Sequence, residues 1–224
     1  MSTESQPSRP LYYFWFDMEF TDLDPSRAHI LQVAALITDV HLQRVRPNDV
    51  GLNLCVRLEP DAYVSDWVRE NLSALVARCQ SDDALPVSEV GARLIQYVDD
   101  VAGPPAKEIK ERPAMAGNSV HSDWRLACIH FPTLQPRLSY RLLDVSTIKQ
   151  QWHGWLGQPE FDKENATLIQ EYLPFDCGDI AGQPHDAHYD ILASIAELNF
   201  YRTKLRWMSD GIKGDQQCSV EASR

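Results

Sequence analysis

In the stretch "YYFWFDMEFTDLDP", residues 12–25, a dense aromatic run meets two carboxylates, Asp17 and Glu19, with only Met18 between them. Side chains alternate along a strand, so residues two apart project from one face. Two carboxylates so placed repel unless a cation lies between them. A hard divalent ion such as Mg2+ or Mn2+ is held by oxygen ligands of this kind. On its own the pair is equally a strand end reaching water. A third acid, Asp123 in "GNSVHSDWRL", falls in the first turn of an expected helix, where an acid also complements the helix macrodipole. A fourth, Asp190 in "HDAHYDILASIAELNFYR", lies near the start of the last helix, five residues after His185. A zinc pair of His185 and His188 lacks a Cys or third His at matching spacing. Together, four acids from three segments, with a histidine before the last, are the makeup of a two-metal phosphodiesterase. Histidine, with its pKa near neutrality, suits removal of a proton from the attacking water.

The elements that must position these groups suggest an α/β sheet. Residues 11–18 form a strand buried on both faces, followed by strands in "HILQVAALITDV" and "GLNLCVRLEP". Two helical patterns lie between about 66 and 101, with Ser88 as the N-cap of the second. "RPAMAGN" reads as a short strand, and "SDWRLACIHF" starts a helix capped by Ser122. "YRLLDVSTIKQQWHGWL" passes from strand to helix, and residues 156–183 are long and irregular. A final helix covers 186–207, with Ile191, Ile195, Leu198 and Leu205 on one face. The first three strands form an antiparallel meander, because their connections are too short for helical crossovers. The fourth and fifth join through helices and run parallel. The whole reads as one domain over residues 11–207, with loose ends at 1–10 and 209–224.

Composition narrows the partners. The 224 residues suffice for one good-sized core. Net charge is −11, with 21 basic residues against 32 acidic ones and no basic run. That disfavours long duplex or extended single-stranded nucleic acid, which is held by many Lys and Arg contacts. A very short nucleotide held by a few directed contacts fits. No apolar run is long enough to span a bilayer, and "MSTESQPSRP" lacks the apolar core of a signal peptide. Cysteines 55, 79, 128, 177 and 218 form no C-x-x-C pair and read as reduced thiols of a cytosolic, cytoplasmic protein.

The motif D-x-E, then a single central aspartate, then H-x4-D, in that order, resembles the DEDDh group of 3′–5′ exonucleases, which have a ribonuclease-H-like fold. The wording is closer still to the oligoribonuclease family. "FDMEFTDLDP" is similar to its D-x-E-x-T-G-L-D-P, and "GNSVHSDWR" to its G-N-S-x-x-x-D-R. "YRLLDVSTIK" nearly matches Y-R-Y-L-D-V-S-T-L-K, and "HDAHYDILASIAELNFYR" resembles H-x-A-x-x-D-I-x-x-S-x-A-E-L-x-Y-Y-R. The resemblance covers about residues 11–206. It implies that Asp17, Glu19, Asp123 and Asp190 hold two divalent ions, Mg2+ or Mn2+, and that His185 is the general base. It further implies that Leu23 wedges between two bases and that Ser119, Arg141, Ser146 and Thr147 cap a 5′ phosphate. Tyr140 would reach the neighbouring subunit of a homodimer, and Trp67 would stack on a base.

The expected activity is metal-dependent 3′–5′ hydrolysis of dinucleotides or very short oligoribonucleotides to nucleoside 5′-monophosphates. A relative specialised for deoxydinucleotides, longer single strands or a nucleotide signal is the alternative. A non-catalytic nucleotide-binding protein is a further one. For Ser146 and Thr147 a helix cap is the plainer role, and for Arg141 a salt bridge; for Leu23 and Tyr140 it is ordinary packing. Three departures stand out. Asp22 replaces the glycine of T-G-L-D; aspartate tolerates positive φ better than most residues, and it adds charge beside the acid pair. Leu72 stands where the family has a histidine after the tryptophan, in a segment two residues shorter. The stretch from "DVSTIK" to His185 is longer than the family's, so that 156–183 reads as an insertion within the domain that either forms a lid or alters substrate entry.

Overall fold

The computed structural model describes residues 12–178, 180 and 182–221, with side chains through residue 206. The expected loose end at 1–10 lies outside this range. Five strands form one mixed sheet: β1 (Tyr12–Phe20), β2 (Ile30–Asp39), β3 (Leu52–Cys55), β4 (Ala114–Gly117) and β5 (Leu142–Asp144). Their order is β3-β2-β1-β4-β5. β1 pairs antiparallel with β2, and β2 with β3. β1–β4 and β4–β5 are parallel. This is the ribonuclease-H-like arrangement expected. Helices flank the sheet: α1 (Asp66–Asn71), α2 (Ser73–Cys79), α3 (Val87–Ala102), α4 (His121–His130), α5 (Val145–Gly154), α6 (Ala166–Tyr172) and α7 (Ala187–Glu221).

β1 is central because its residues are apolar on both faces. Phe14, Phe16 and Met18 pack with Val90 and Leu94 of α3 and with Leu126 of α4. Trp15 packs on the other face with Val145 of α5 and Ile191 and Ile195 of α7. Each of these buried side chains contributes about 1.5–3 kcal/mol through removal from water. The indole N–H of Trp15 is satisfied by the Thr38 hydroxyl at 2.9 Å. β4 closes tightly on β1: a Cβ at Gly117 would sit 3.0 Å from the Phe16 carbonyl oxygen. Glycine there brings the end of β4 against the strand just before Asp17.

Several local expectations are corrected. Ser88 and Ser122 are not N-caps: α3 starts after Pro86 and α4 after Val120, and neither start has a side-chain cap. Both serines lie one residue inside helices that begin earlier than their hydroxyls suggested. α5 is capped by Asp144, whose carboxylate accepts the Ser146 N–H, so neither Ser146 nor Thr147 is the cap. The stretch 156–183 is not wholly irregular, since it contains α6, capped by Asn165. Ile191, Ile195 and Leu198 are buried as expected, but Leu205 is 44% exposed, because by that turn α7 has run past the sheet. The helical backbone of α7 continues to Glu221, through most of the stretch expected to be loose; residues 222–224 lie outside the described range.

Candidate active site

Asp17 and Glu19 lie within β1, which extends to Phe20, rather than at its end. They alternate with Met18, so they share the Trp15 face, towards α7. A register shift between Glu19 and Phe20 ends the regular pairing just beyond them. Asp123, in the first turn of α4, is buried, and its Oδ1 accepts the Met18 N–H at 3.0 Å. This bond fixes the start of α4 to the backbone between the two β1 acids. Asp190 lies in the first turn of α7, and its Oδ2 accepts the His185 N–H at 3.0 Å. His185 is exposed and adopts φ 68°, a left-handed conformation that costs a non-glycine residue free energy. Ligand atoms of Glu19, His185 and Asp190 all lie within 4.8 Å of one another.

The electrostatics show how tightly the acids are gathered. Burial, then the charges of Asp123, Asp190 and Glu19, push the Asp17 carboxyl well above its ordinary range. Burial, then Asp190, Asp123 and Asp186, push Glu19 up to about 8. Burial raises Asp123 to about 7, against the lowering hydrogen bond from Met18. Burial likewise raises Asp190, and the Lys163 ammonium opposes it most. Carboxyls buried together resist ionisation until a positive charge joins them. His188 is turned away, its Nε2 3.1 Å from the Val50 carbonyl, so the structure does not pair it with His185 as a zinc site.

Beside the acids runs a cleft of about 620 Å³ lined by Glu19, Phe20, Asp22, Leu23, Trp67 and His185, among others. That volume lies within the roughly 300–1,000 Å³ of typical small-molecule sites. Leu23 is 94% and Trp67 51% exposed, so neither is explained by core packing. The Trp67 ring stands edge-on to His185 with centroids 5.2 Å apart. Asp22 does not need glycine's freedom, because its φ is not positive. Its carboxylate accepts the Asp24 N–H at 2.7 Å and the Arg27 guanidinium at 3.0 Å, and Arg27 lies over the Tyr63 ring. The added charge is therefore offset within the loop. Leu72, at the junction of α1 and α2, is a buried packing residue.

On the other side of the acids, Ser119 (φ 51°) and Ser146 meet. The Ser119 N–H donates to Asp144 Oδ1 and to Ser146 Oγ, both at 3.0 Å, and the two hydroxyl oxygens are 3.3 Å apart. The Ser146 hydroxyl donates to Asn118 Oδ1 at 2.9 Å. Tyr140, Arg141 and Thr147 are exposed, with the Arg141 guanidinium over the Tyr140 ring. Among the described residues no hydrogen bond joins these three to the serine pair.

Four residues of this region carried no assignment from sequence. Asp186 adds charge beside Glu19, and its Oδ1 accepts the His188 and Tyr189 N–H groups at the start of α7. An acid directly before a helix is a readable cap signal. Asn118 donates through Nδ2 to Ser194 Oγ and Glu197 Oε2, each at 2.9 Å. Glu197 is fully buried, with Lys149 Nζ at 4.0 Å and Lys163 Nζ at 3.9 Å. Glu197 is the glutamate of the A-E-L stretch quoted above, which names no partner for it, and no local pattern marks Lys163; their meeting depends on the tertiary fold.

A family model described as Exonuclease (RNase T) matches residues 14–198. A probable oligoribonuclease of Schizosaccharomyces pombe is 33% identical over 201 residues, covering 87% of this chain and 68% of its own. The oligoribonuclease of Tropheryma whipplei is 31% identical over 198 residues, covering 86% and 92%. Among solved structures, cell-death related nuclease 4 superposes with TM-score 0.60 at 18% identity, over 87% of this chain and 64% of that one. The Mg2+- and Mn2+-bound form of S. pombe Pop2p superposes with TM-score 0.57 at 11% identity, over 89% and 84%. Those two likenesses concern the fold. The sequence relatives and the family match go further: this chain belongs to the oligoribonuclease family and is a 3′–5′ exonuclease.

Proposed function

We propose that the protein is a divalent-metal-dependent exoribonuclease acting on dinucleotides and very short oligoribonucleotides. The observation that carries this reading is the convergence of Asp17, Glu19, Asp123, Asp190 and His185 beside a cleft of dinucleotide scale. The donor set fits hard divalent ions: four carboxylates, buried together, with raised pKa values that a nearby cation would relieve. Asp17, Glu19, Asp123 and Asp190 would hold Mg2+ or Mn2+. Two such ions, when bound, stabilise the attacking and leaving oxygens of an in-line displacement.

The protein's own groups do the rest. His185, exposed beside Glu19 and Asp190, takes a proton from the attacking water. The water oxygen bonds to phosphorus, and the bond from phosphorus to the 3′ oxygen of the preceding nucleotide breaks. A nucleoside 5′-monophosphate leaves. Leu23 and Trp67 contact the bases from the cleft wall. Ser119, Ser146, Arg141 and Thr147 bind the 5′ phosphate, whose position limits substrate length. An acidic protein can then hold a dinucleotide without a basic groove. Exposed Tyr140 would reach a partner subunit in a homodimer. The cytoplasm is its proposed location; no described helix is long and apolar enough to cross a membrane.

Leu72 in place of the family's histidine favours a second reading, a relative specialised for deoxydinucleotides or longer strands. All four acids and His185 are retained, which argues against a purely nucleotide-binding role. The test uses 5′-phosphorylated RNA substrates of two nucleotides and upward, with Mg2+ or Mn2+, beside matched DNA dinucleotides. Cleavage fastest on the RNA dinucleotide supports the first reading. A DNA or long-strand preference supports the second, and no cleavage by folded protein with either metal rejects both. Asp17→Ala should abolish turnover; unchanged cleavage would show that the activity came from elsewhere.

A further inference from the structure

The Asn118 side chain does not serve its own turn. β4 ends at Gly117, and α4 begins after Val120 without a side-chain cap. Instead the amide reaches two elements distant in sequence. Its Nδ2 donates to Ser194 Oγ and to Glu197 Oε2 on α7, each at 2.9 Å. Its Oδ1 accepts the hydroxyl of Ser146, at the start of α5, also at 2.9 Å. Ser146 Oγ in turn accepts the Ser119 N–H at 3.0 Å, and Asp144 Oδ1 accepts the N–H groups of both serines. Ser119 needs this support, because its φ of 51° is costly for a non-glycine residue.

The direction of these bonds follows from one buried group. Glu197 is fully buried; its Oε1 accepts the Tyr201 hydroxyl at 2.8 Å, and the Lys149 and Lys163 ammonium groups stand 4.0 and 3.9 Å away. A carboxylate so surrounded only accepts, so the NH2 of Asn118 must face it. The amide oxygen is then what remains for Ser146, which donates its proton there. The Ser119 hydroxyl, 3.3 Å from Ser146 Oγ, keeps its own proton for an acceptor. The same helix, α7, carries Asp190 in its first turn, and Ser194 donates to the Asp190 carbonyl oxygen at 2.8 Å. One amide therefore ties the serine pair to the helix that bears one of the four acids.

We infer that Asn118 is a positioning residue, which aims the Ser119–Ser146 pair at the 5′ phosphate and fixes how far that phosphate lies from the acids. This rests on the 5′-phosphate cap proposed above and adds to it a residue and a division of labour: Ser146 holds, and Ser119 donates. A fixed distance between cap and acids selects substrate length. A longer strand cannot place its 5′ phosphate in the cap and its last phosphodiester at the acids together.

The test compares wild type, Asn118→Ala and Ser194→Ala by their affinity for 5′-phosphorylated and 5′-hydroxyl RNA dinucleotides, titrated in Ca2+ so that no turnover is needed. A hydrogen bond is worth about two- to tenfold in affinity, so Asn118→Ala should bind the 5′-phosphorylated dinucleotide more weakly by about that factor. Its affinity for the 5′-hydroxyl dinucleotide and for Mn2+ should hold, so the phosphate preference narrows. In Mn2+, the advantage in kcat/KM of a 5′-phosphorylated dinucleotide over a tetranucleotide should shrink with it. Ser194→Ala removes one of the two anchors of the amide and leaves Glu197 paired; it should narrow the phosphate preference in the same direction, and it decides the point where Asn118→Ala fails to fold. Equal weakening of both dinucleotides, the mark of a merely structural asparagine, would overturn the inference, and so would an unchanged phosphate preference. A wild type without any phosphate preference would overturn the cap and the inference together. A wild type that shows the preference but cleaves nothing would remove the exonuclease mechanism while the titrations still decide the role of Asn118.

Discussion

Raising the pH of the metal-free protein from 5 to 8 should destabilise it, and the acid cluster is the reason. Glu19 is held at about 8 against an ordinary 4.5, chiefly by burial, and Asp123 at about 7 against 3.8, again chiefly by burial. A carboxyl with a raised folded-state pKa binds its proton more tightly folded than unfolded. Its contribution is complete below the ordinary pKa and is lost as pH climbs through the raised one. The window runs from about pH 4 to pH 8. At about 1.4 kcal/mol per pH unit, Glu19 alone represents on the order of 5 kcal/mol. Glu19 and Asp123 share the same repulsion, so their parts do not add. For a protein of this size each kcal/mol moves the melting temperature by about 2–4 °C, so the loss should be about 10 °C or more. The assay is thermal unfolding in EDTA at half-unit pH steps, repeated with saturating Mn2+ and with Glu19→Gln. Mn2+ should restore stability at pH 8, and Glu19→Gln should flatten the pH dependence while melting higher than wild type at pH 8. A flat profile in wild type, or an equal slope in Glu19→Gln, would refute the electrostatic account.

Gly117→Ala places a Cβ against the Phe16 carbonyl oxygen, and should cost about 1–3 kcal/mol as overpacking does, seen as a lower urea midpoint. An unchanged midpoint would mean that β4 relaxes freely. Ser146→Ala removes a hydrogen-bond donor to Asn118 and an acceptor from Ser119, so about 1 kcal/mol of stability should go. The same variant should narrow the preference for 5′-phosphorylated over 5′-hydroxyl dinucleotides; an unaltered preference would remove Ser146 from phosphate recognition. Trp67→Ala takes away an exposed ring, so the melting temperature should hold. KM for a dinucleotide should rise about tenfold, since base stacking is worth about 1–3 kcal/mol; a fall in melting temperature with unchanged KM would make Trp67 structural.

Much of this was legible because the decisive patterns are local. Alternation in "YYFWFDMEF" puts Phe14, Phe16 and Met18 on one face and Trp15, Asp17 and Glu19 on the other, and that assigns both the core strand and the acid pair. Short connections before β3 and helical ones after it define the mixed topology. What failed was also local. Ser88 and Ser122 look like caps, but tertiary packing lets α3 and α4 begin a residue or more earlier. α6 is a single short helix, too brief for a periodic signal to stand out. The contacts of Lys163, Asn118 and Glu197 were not legible, for a different reason. Asn118 and Glu197 stand in the quoted G-N-S and A-E-L motifs, but their contact with each other, and that of Glu197 with Lys163, joins residues far apart in sequence, which no spacing rule encodes.

The central place of β1 bears on how the molecule assembles. Its antiparallel partner is made early, but Tyr13 to Trp15 pair with Ala114 to Ala116, and the Trp15 face is covered only when α7, from Ala187, is present. At about 5–20 residues per second of synthesis, the most aromatic segment of the protein stays partly uncovered for roughly ten to thirty seconds. Folding through such distant contacts is slow, because loop closure precedes any reward. The same strand that aims the acids is thus the one whose apolar faces wait longest for their cover while the remaining residues are made.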